Sequence, residues 1–127
     1  MRNLILNTDS YKMSHFAQYP QGAEYVSSYI ESRGGVYPET VFFGLQAFVK
    51  EYLTRPISQA DIDEADAVCT VHGVPFNREG WEYILNEYQG YLPLEIEAAP
   101  EGAVIPTGNV MVQVTNTDPK CAGLTSY

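Results

Sequence analysis

Hydrophobic spacing along this chain switches between a period of two and a period of about 3.6, and each switch marks an element. Leu4-Ile5-Leu6 is a brief apolar run that predicts a short strand feeding a helix over about Ser10 to Gln18. That helix must stop near Tyr19, because Pro20 disfavours helical geometry in the residue before it and Gly22 follows closely. From Glu24 to Glu31 the pattern alternates, with Tyr25, Ser27 and Tyr29 on one side and Val26, Ser28 and Ile30 on the other. This is a strand with tyrosines on one face, ended by the flexible Arg33-Gly34-Gly35.

From Phe42 the period lengthens, and Leu45, Phe48, Val49 and Tyr52 form the stripe of an amphipathic helix ending before Pro56. Ser58 with Asp61 has the spacing of a capping box, and Ile57 with Ile62 that of a hydrophobic staple. The helix they open has the stripe Ile62, Ala65, Val68 and Cys69 and a stop at Gly73. A third helix is predicted over Asn77 to Tyr88, burying Trp81, Ile84, Leu85 and Tyr88, with Phe76 and Trp81 as a second staple and Gly90 as the stop. Beyond Gly90 the period returns to two. Leu94, Ile96 and Ala98 alternate with Glu95 and Glu97, and Val110, Val112 and Val114 alternate with Met111 and Gln113. Between these two antiparallel strands, the turns Pro100-Glu101-Gly102 and Pro106-Thr107-Gly108 bracket a short strand, Ala103-Val104-Ile105. The expected fold is α+β, an antiparallel β-sheet packed against a layer of about three to four helices.

Composition narrows the function classes. A chain of 127 residues with 45% hydrophobic content forms one domain with a real core. A net charge of −9 and scattered basic residues argue against a nucleic-acid surface. Between Asp61 and Glu101 ten acids face the single basic Arg78, which predicts a solvated acidic face. Cys69 and Cys121 lack the spacing of a zinc site, so reduced thiols are expected. The run Arg2-Asn3-Leu4-Ile5-Leu6-Asn7 is too short for a signal-peptide core, and no stretch approaches the roughly 20 apolar residues of a membrane span. A soluble, cytoplasmic protein without membrane partners is expected. There is no internal repeat, low-complexity tract or linker. Asn116-Thr117-Asp118-Pro119 reads as a turn with cap residues, and Leu124-Thr125-Ser126-Tyr127 as a helix just starting. A helix broken off there buries little, since nucleation is costly, which predicts further chain after Tyr127.

The candidate chemistry is concentrated in Asn7-Thr8-Asp9-Ser10-Tyr11-Lys12. Thr8 or Asp9 is placed to cap a helix whose first turn carries Tyr11 beside Lys12, and an aromatic face with a cation suits a flat, anion-linked ligand. The competing account is that Tyr11 anchors a short helix on the domain. Arg33 precedes two glycines, where a planar fork of donors can hold a phosphate or pair with Glu31 or Glu39. Tyr11, Tyr19, Tyr25 and Tyr29 fit an interface or a core facing the helices. His15 and His72 fit structural or surface roles, and Glu95 and Glu97 the solvent side of a sheet. No phosphate-cradling glycine loop or nucleophile elbow occurs, so the chain holds no self-contained active site.

Several separated motifs carry a resemblance. Asn7-Thr8-Asp9-Ser10-Tyr11-Lys12, Tyr19-Pro20, Tyr29-Ile30-Glu31-Ser32-Arg33, Glu39-Thr40-Val41-Phe42-Phe43-Gly44-Leu45-Gln46, Phe76-Asn77 with Gly80-Trp81, and Pro100-Glu101-Gly102 through Pro106-Thr107-Gly108-Asn109-Val110 occur in order. Together they resemble the N-terminal region of the nicotinamide phosphoribosyltransferase family, in particular its bacterial and phage-borne branch. The resemblance implies the N-terminal, non-barrel domain of a type II phosphoribosyltransferase, with residues 1–127 a single truncated domain lacking the barrel expected to follow.

It further implies transfer of phosphoribosyl from 5-phosphoribosyl 1-pyrophosphate to nicotinamide. The products are nicotinamide mononucleotide and pyrophosphate, in NAD salvage, with Mg²⁺ accompanying the phosphoribosyl donor in the complete, homodimeric enzyme. The family's ring-stacking tyrosine, which reaches across the subunit interface, maps to Tyr11, and its phosphate-side arginine to Arg33. Asp9 and Lys12 map to supporting positions, while no catalytic residue and no metal ligand falls in this chain. The chain departs from the family at Cys121-Ala122-Gly123-Leu124, where relatives carry bulky aromatics after the cysteine; that suggests a truncated, frameshifted or trimmed product. The expectation is therefore no transferase activity from this polypeptide alone. Two alternatives stand beside it: a noncatalytic module or relic capping a separate barrel subunit, and a nicotinate-using relative.

Overall fold

The computed structural model describes residues 3–127; the expectations touching Met1 and Arg2 lie outside the described residues. Among the described residues five strands, β1 (Ser27–Glu31), β2 (Glu39–Val41), β3 (Leu94–Ala98), β4 (Val104–Pro106) and β5 (Val110–Asn116), combine with several helices in an α+β fold. The α-helices are α1 (Leu45–Phe48), α2 (Gln59–His72) and α3 (Arg78–Glu87), and 3-10 helices occupy Ser10–Ala17 and Pro119–Leu124. All strand pairings are antiparallel.

Strand β5 is the centre of a three-stranded sheet ordered β1-β5-β3. Its register pairs Ile30 with Val112, and Ile96 with Val114. Side chains alternate across a strand, so Ile30, Val112, Val114, Leu94 and Ile96 share one face while Tyr29, Gln113, Glu95 and Glu97 share the other. The two glutamates are solvent-exposed, as the alternation predicts. The short 103–105 strand does not join this sheet. It is displaced by one residue to become β4 and pairs with β2, a strand missed in the hydrophobic pattern because Glu39-Thr40-Val41 is too short to show a period.

Helix α2 follows its sequence signals closely. The Ser58 hydroxyl accepts from the Asp61 amide at 3.3 Å and the Asp61 carboxylate accepts from the Ser58 amide at 2.8 Å, a complete capping box. Ile57 and Ile62 are both buried, and Gly73 closes the helix in the left-handed conformation at φ 77°. Val68 departs from the expected stripe and is 45% exposed, leaving Ile62, Ala65 and Cys69 as the buried face. In α3, Asn77 caps by accepting from the Gly80 amide at 3.1 Å, and Trp81 and Ile84 are buried. Leu85 and Tyr88 are half-buried. Gly90 is needed at its position because a Cβ there would meet the Ile57 carbonyl.

The core gathers Ile5, Ile57, Ile62, Ala65, Trp81, Ile84 and Cys121. Leu4-Ile5-Leu6 reaches it through a turn and not as the expected strand. The Asn3 side chain accepts from the Ile5 amide at 3.0 Å and the Leu6 amide bonds the Asn3 carbonyl, so local side-chain bonding competes successfully with strand pairing.

Helix α1 has only one α-turn before it widens into a π-helical turn, Val49–Leu53. None of its residues is buried, because Leu45, Phe48 and Leu53 border an open apolar groove of about 450 Å³ with Ile30, Leu94 and Val112 on the sheet side. Its N-terminus is capped from a distance: Glu101 accepts from the Gly44 and Gln46 amides at 2.7 and 3.0 Å. Those backbone donors, Gln46 first, hold the Glu101 carboxyl below its ordinary value.

The expected acidic face is partly neutralised. Arg78 bonds Asp66 and Asp63 at 2.9 Å and Glu82 at 3.0 Å, joining α2 to α3. At the other end, Asp118 caps the second 3-10 helix by accepting from the Lys120 amide at 2.7 Å. It also accepts from the Tyr88 and Tyr83 hydroxyls at 2.6 and 2.8 Å. The expected helix start at Leu124 is corrected, since helical geometry begins at Pro119 and ends there. Tyr127 is far from idle: its ring meets Trp81 edge-on at 5.1 Å and its hydroxyl donates to the Ile5 carbonyl at 2.6 Å. Among the described residues no helix is long and apolar enough to cross a membrane.

Candidate functional site

The Tyr11 segment is helical where expected, but in the tighter 3-10 geometry. Asp9 occupies the cap position with extended backbone and makes no side-chain cap bond. Thr8 does not cap either; its hydroxyl donates to the Tyr127 carbonyl at 2.6 Å. The helix is thus secured by distant chain where a local cap was predicted. Met13 is its one buried residue, with the Cys69 thiol donating to its sulfur at 3.1 Å.

Tyr11 projects outward and is 61% exposed. Lys12 and Asp9 come to 4.0 Å of each other, a loose exposed pair worth little in stability. The His15 ring lies 5.4 Å from the Tyr11 ring, tilted by 59°. His15 Nδ1 is 3.3 Å from the Ser126 hydroxyl, which also accepts from the Tyr19 hydroxyl at 2.6 Å. Spacing along the chain carries no signal for this cluster, because His15 and Ser126 are 111 positions apart.

Arg33 sits elsewhere, exposed in the loop after β1, where Gly34 and Gly35 both have positive φ. The Gly108 amide bonds the neighbouring Ser32 carbonyl at 2.8 Å and holds the loop beside the β4–β5 turn. Among the described residues Arg33 makes no ion pair with Glu31 or Glu39, so the ion-pair account is not what the structure shows. The structure brings Asp9, Tyr11 and Lys12 together and leaves Arg33 apart. The Tyr11 helix packs near the segment that follows β5, whereas Arg33 lies by the residues that precede it. Tyr25 and Tyr29, 58% and 61% exposed, belong to the surface and not to a core.

Burial keeps both thiols protonated: Cys69 is raised, and Cys121 is pushed up to about 11. Both are free cysteines. His72 is exposed. Among the described residues no grouping of three or more His, Cys, Asp or Glu side chains is placed to hold a metal ion.

Comparison with known proteins places the chain. The family described as nicotinamide phosphoribosyltransferase, N-terminal domain, matches residues 3–96. A nicotinamide phosphoribosyltransferase of Xanthomonas campestris pv. campestris is 52% identical over 98% of this chain and 27% of its own length. Another of Acinetobacter baylyi is 30% identical over 94% of this chain and 27% of its own length. The chain spans about a quarter of the length of the curated relatives it matches. The matched residues run from the core turn at Asn3 through the Tyr11 helix, α1 to α3 and into β3, and on that extent the chain belongs to the nicotinamide phosphoribosyltransferase family, as its N-terminal domain.

Proposed function

We propose that this chain serves as a substrate-binding part of an enzyme that transfers phosphoribosyl from 5-phosphoribosyl 1-pyrophosphate to nicotinamide. In that reaction the pyridine nitrogen bonds to the anomeric carbon as the bond to pyrophosphate breaks. Tyr11 supplies a flat ring that stacks on nicotinamide across a homodimer interface, with Asp9 and Lys12 supporting the turn. Arg33 supplies a planar guanidinium to the phosphate side of a site. The carrying observation is the outward, 61%-exposed Tyr11 on a helix whose other contacts are to its own domain. A large ring left exposed in that way is available to a ligand, and offset or tilted stacking adds about 1 kcal/mol beyond the area it buries.

This chain spans about a quarter of the relatives' length, and the bond-making chemistry itself is assigned to the remaining three-quarters. Mg²⁺ is proposed to enter with the phosphoribosyl donor there, without a ligand from this chain. The purified chain alone is expected to form no nicotinamide mononucleotide.

The test uses the complete enzyme carrying this chain. Tyr11→Ala is expected to raise KM for nicotinamide about 10-fold while Tyr11→Phe stays near the parent, since stacking needs the ring and not the hydroxyl. Arg33→Lys is expected to raise KM for the phosphoribosyl donor, because a point charge does not reproduce a bidentate fork. Equal damage from Tyr11→Ala and Tyr11→Phe would end the stacking role, and an unchanged donor KM in Arg33→Lys would end the phosphate role.

A further inference from the structure

The Tyr11 helix is clamped at both ends by two consecutive residues of the segment that follows β5, Ser126 and Tyr127. Before the helix, the Thr8 hydroxyl donates to the Tyr127 carbonyl at 2.6 Å. At its end, His15 Nδ1 lies 3.3 Å from the Ser126 hydroxyl, and Tyr19 donates to the same oxygen at 2.6 Å. Phe16 presses on Gly123 so closely that a Cβ added there would lie 3.2 Å from the Phe16 Cβ. The helix has no side-chain cap of its own. The segment 123–127 therefore fixes where the helix lies.

His15 connects that clamp to the exposed ring. Its imidazole is half-buried, anchored through Nδ1 and tilted 59° against Tyr11 at a centroid distance of 5.4 Å. Tilted rings at this separation attract one another through edge and face charges. An exposed tyrosine otherwise samples several rotamers, and that freedom is lost when a ligand stacks on it. A ring already leaning on an anchored neighbour has less to lose. Ser126 has the capacity for both partners, because its oxygen accepts from Tyr19 and its remaining proton or lone pair meets His15.

We propose that His15, anchored by Ser126 and Tyr19, is a positioning residue that pre-sets the Tyr11 ring for a flat aromatic ligand. The inference rests on the proposed stacking role of Tyr11 and adds the device that aims it.

Selective ring labelling of Tyr11 in this chain, read by NMR order parameters and by the cross-peak to the His15 ring, tests the positioning directly. His15→Ala and Ser126→Ala are expected to lower the order of the Tyr11 ring, with Trp81 indole signals unchanged as a check on the fold. His15→Phe keeps a ring in place and is expected to hold Tyr11 more ordered than His15→Ala does. In the complete enzyme, His15→Ala is expected to raise KM for nicotinamide roughly 3- to 10-fold with kcat and donor KM unchanged. A Tyr11 ring as ordered in His15→Ala as in the parent would overturn the positioning role. A disordered ring with unchanged nicotinamide KM would instead overturn the stacking role beneath it, which Tyr11→Ala reports independently.

Discussion

Helix α2 and the 3-10 helix at Ser10–Ala17 are secured in opposite ways. The former opens on its own capping box, is stapled by Ile57 and Ile62, and turns Ile62, Ala65 and Cys69 into the core. The latter has no side-chain cap, buries only Met13, and depends on Ser126 and Tyr127 more than a hundred positions away. The framework element is specified by neighbours, the element that carries Tyr11 by distant contacts. Such an arrangement lets the candidate site loosen or shift without unfolding the domain beneath it.

The largest expected effect tests whether the two regions share one core. Trp81 is buried in the core with Ile62 and Ala65 of α2 and packs edge-on against Tyr127, whose carbonyl ties down Thr8 ahead of the Tyr11 helix. Trp81→Ala is expected to cost about 3–5 kcal/mol in chemical denaturation. Loss of under about 1 kcal/mol would mean that the Tyr11 helix and the α2–α3 pair are not joined through this ring.

Acid should act next, and mainly on the Asp118 end. The Tyr88 hydroxyl, the Lys120 amide and the Tyr83 hydroxyl hold the Asp118 carboxyl below its ordinary 3.8. A folded value below the unfolded one gives stability that is present above about pH 4 and lost as pH falls through the folded value. Glu101 and Asp63 are lowered too and act with the same sign. Denaturation midpoints are expected to fall in that acid range, and less so in Asp118→Asn. In alkali the sign reverses. Tyr83 and Tyr88 are pushed up to about 12 by their bonds to Asp118, so their contribution fades as pH climbs from 10 through that value. An Asp118→Asn protein with the parent's full pH profile would remove Asp118 from this account.

The smallest effects sharpen the contrast most. Ser58→Ala, which removes a local cap, is expected to lower global stability by about 1 kcal/mol. Thr8→Val, which removes a distant tie, is expected to change it by less than about 0.5 kcal/mol while reducing hydrogen-exchange protection in Ser10–Ala17 alone. Reversed outcomes would mean that the N-terminal helix, and not α2, belongs to the framework.

Sequence reasoning succeeded where a signal lay within a few residues. The Ser58–Asp61 box, the Gly73 and Gly90 stops and the period-two strands around Val112 all emerged as expected. Motif order placed the family, and the family match agrees with it. Failures follow one pattern. Leu4-Ile5-Leu6 became a turn because Asn3 captured its amides, β2 was too short to show a period, and Val68 turned outward from an otherwise correct stripe.

Helix and strand propensities, caps and turns are properties of neighbouring residues, and they could be deduced from the order of amino acids. The identity of Tyr11 as the exposed ring of a helical turn was available in the same way. Its orientation was not. His15 meeting Ser126, Thr8 meeting Tyr127 and Glu101 capping α1 require segments far apart in the chain to be brought together by burial of Ile5, Trp81 and their neighbours. Hydrophobic burial is non-directional, so it names the residues of a core without naming which polar groups will find themselves adjacent at its edge. That last assignment belongs to the folded chain.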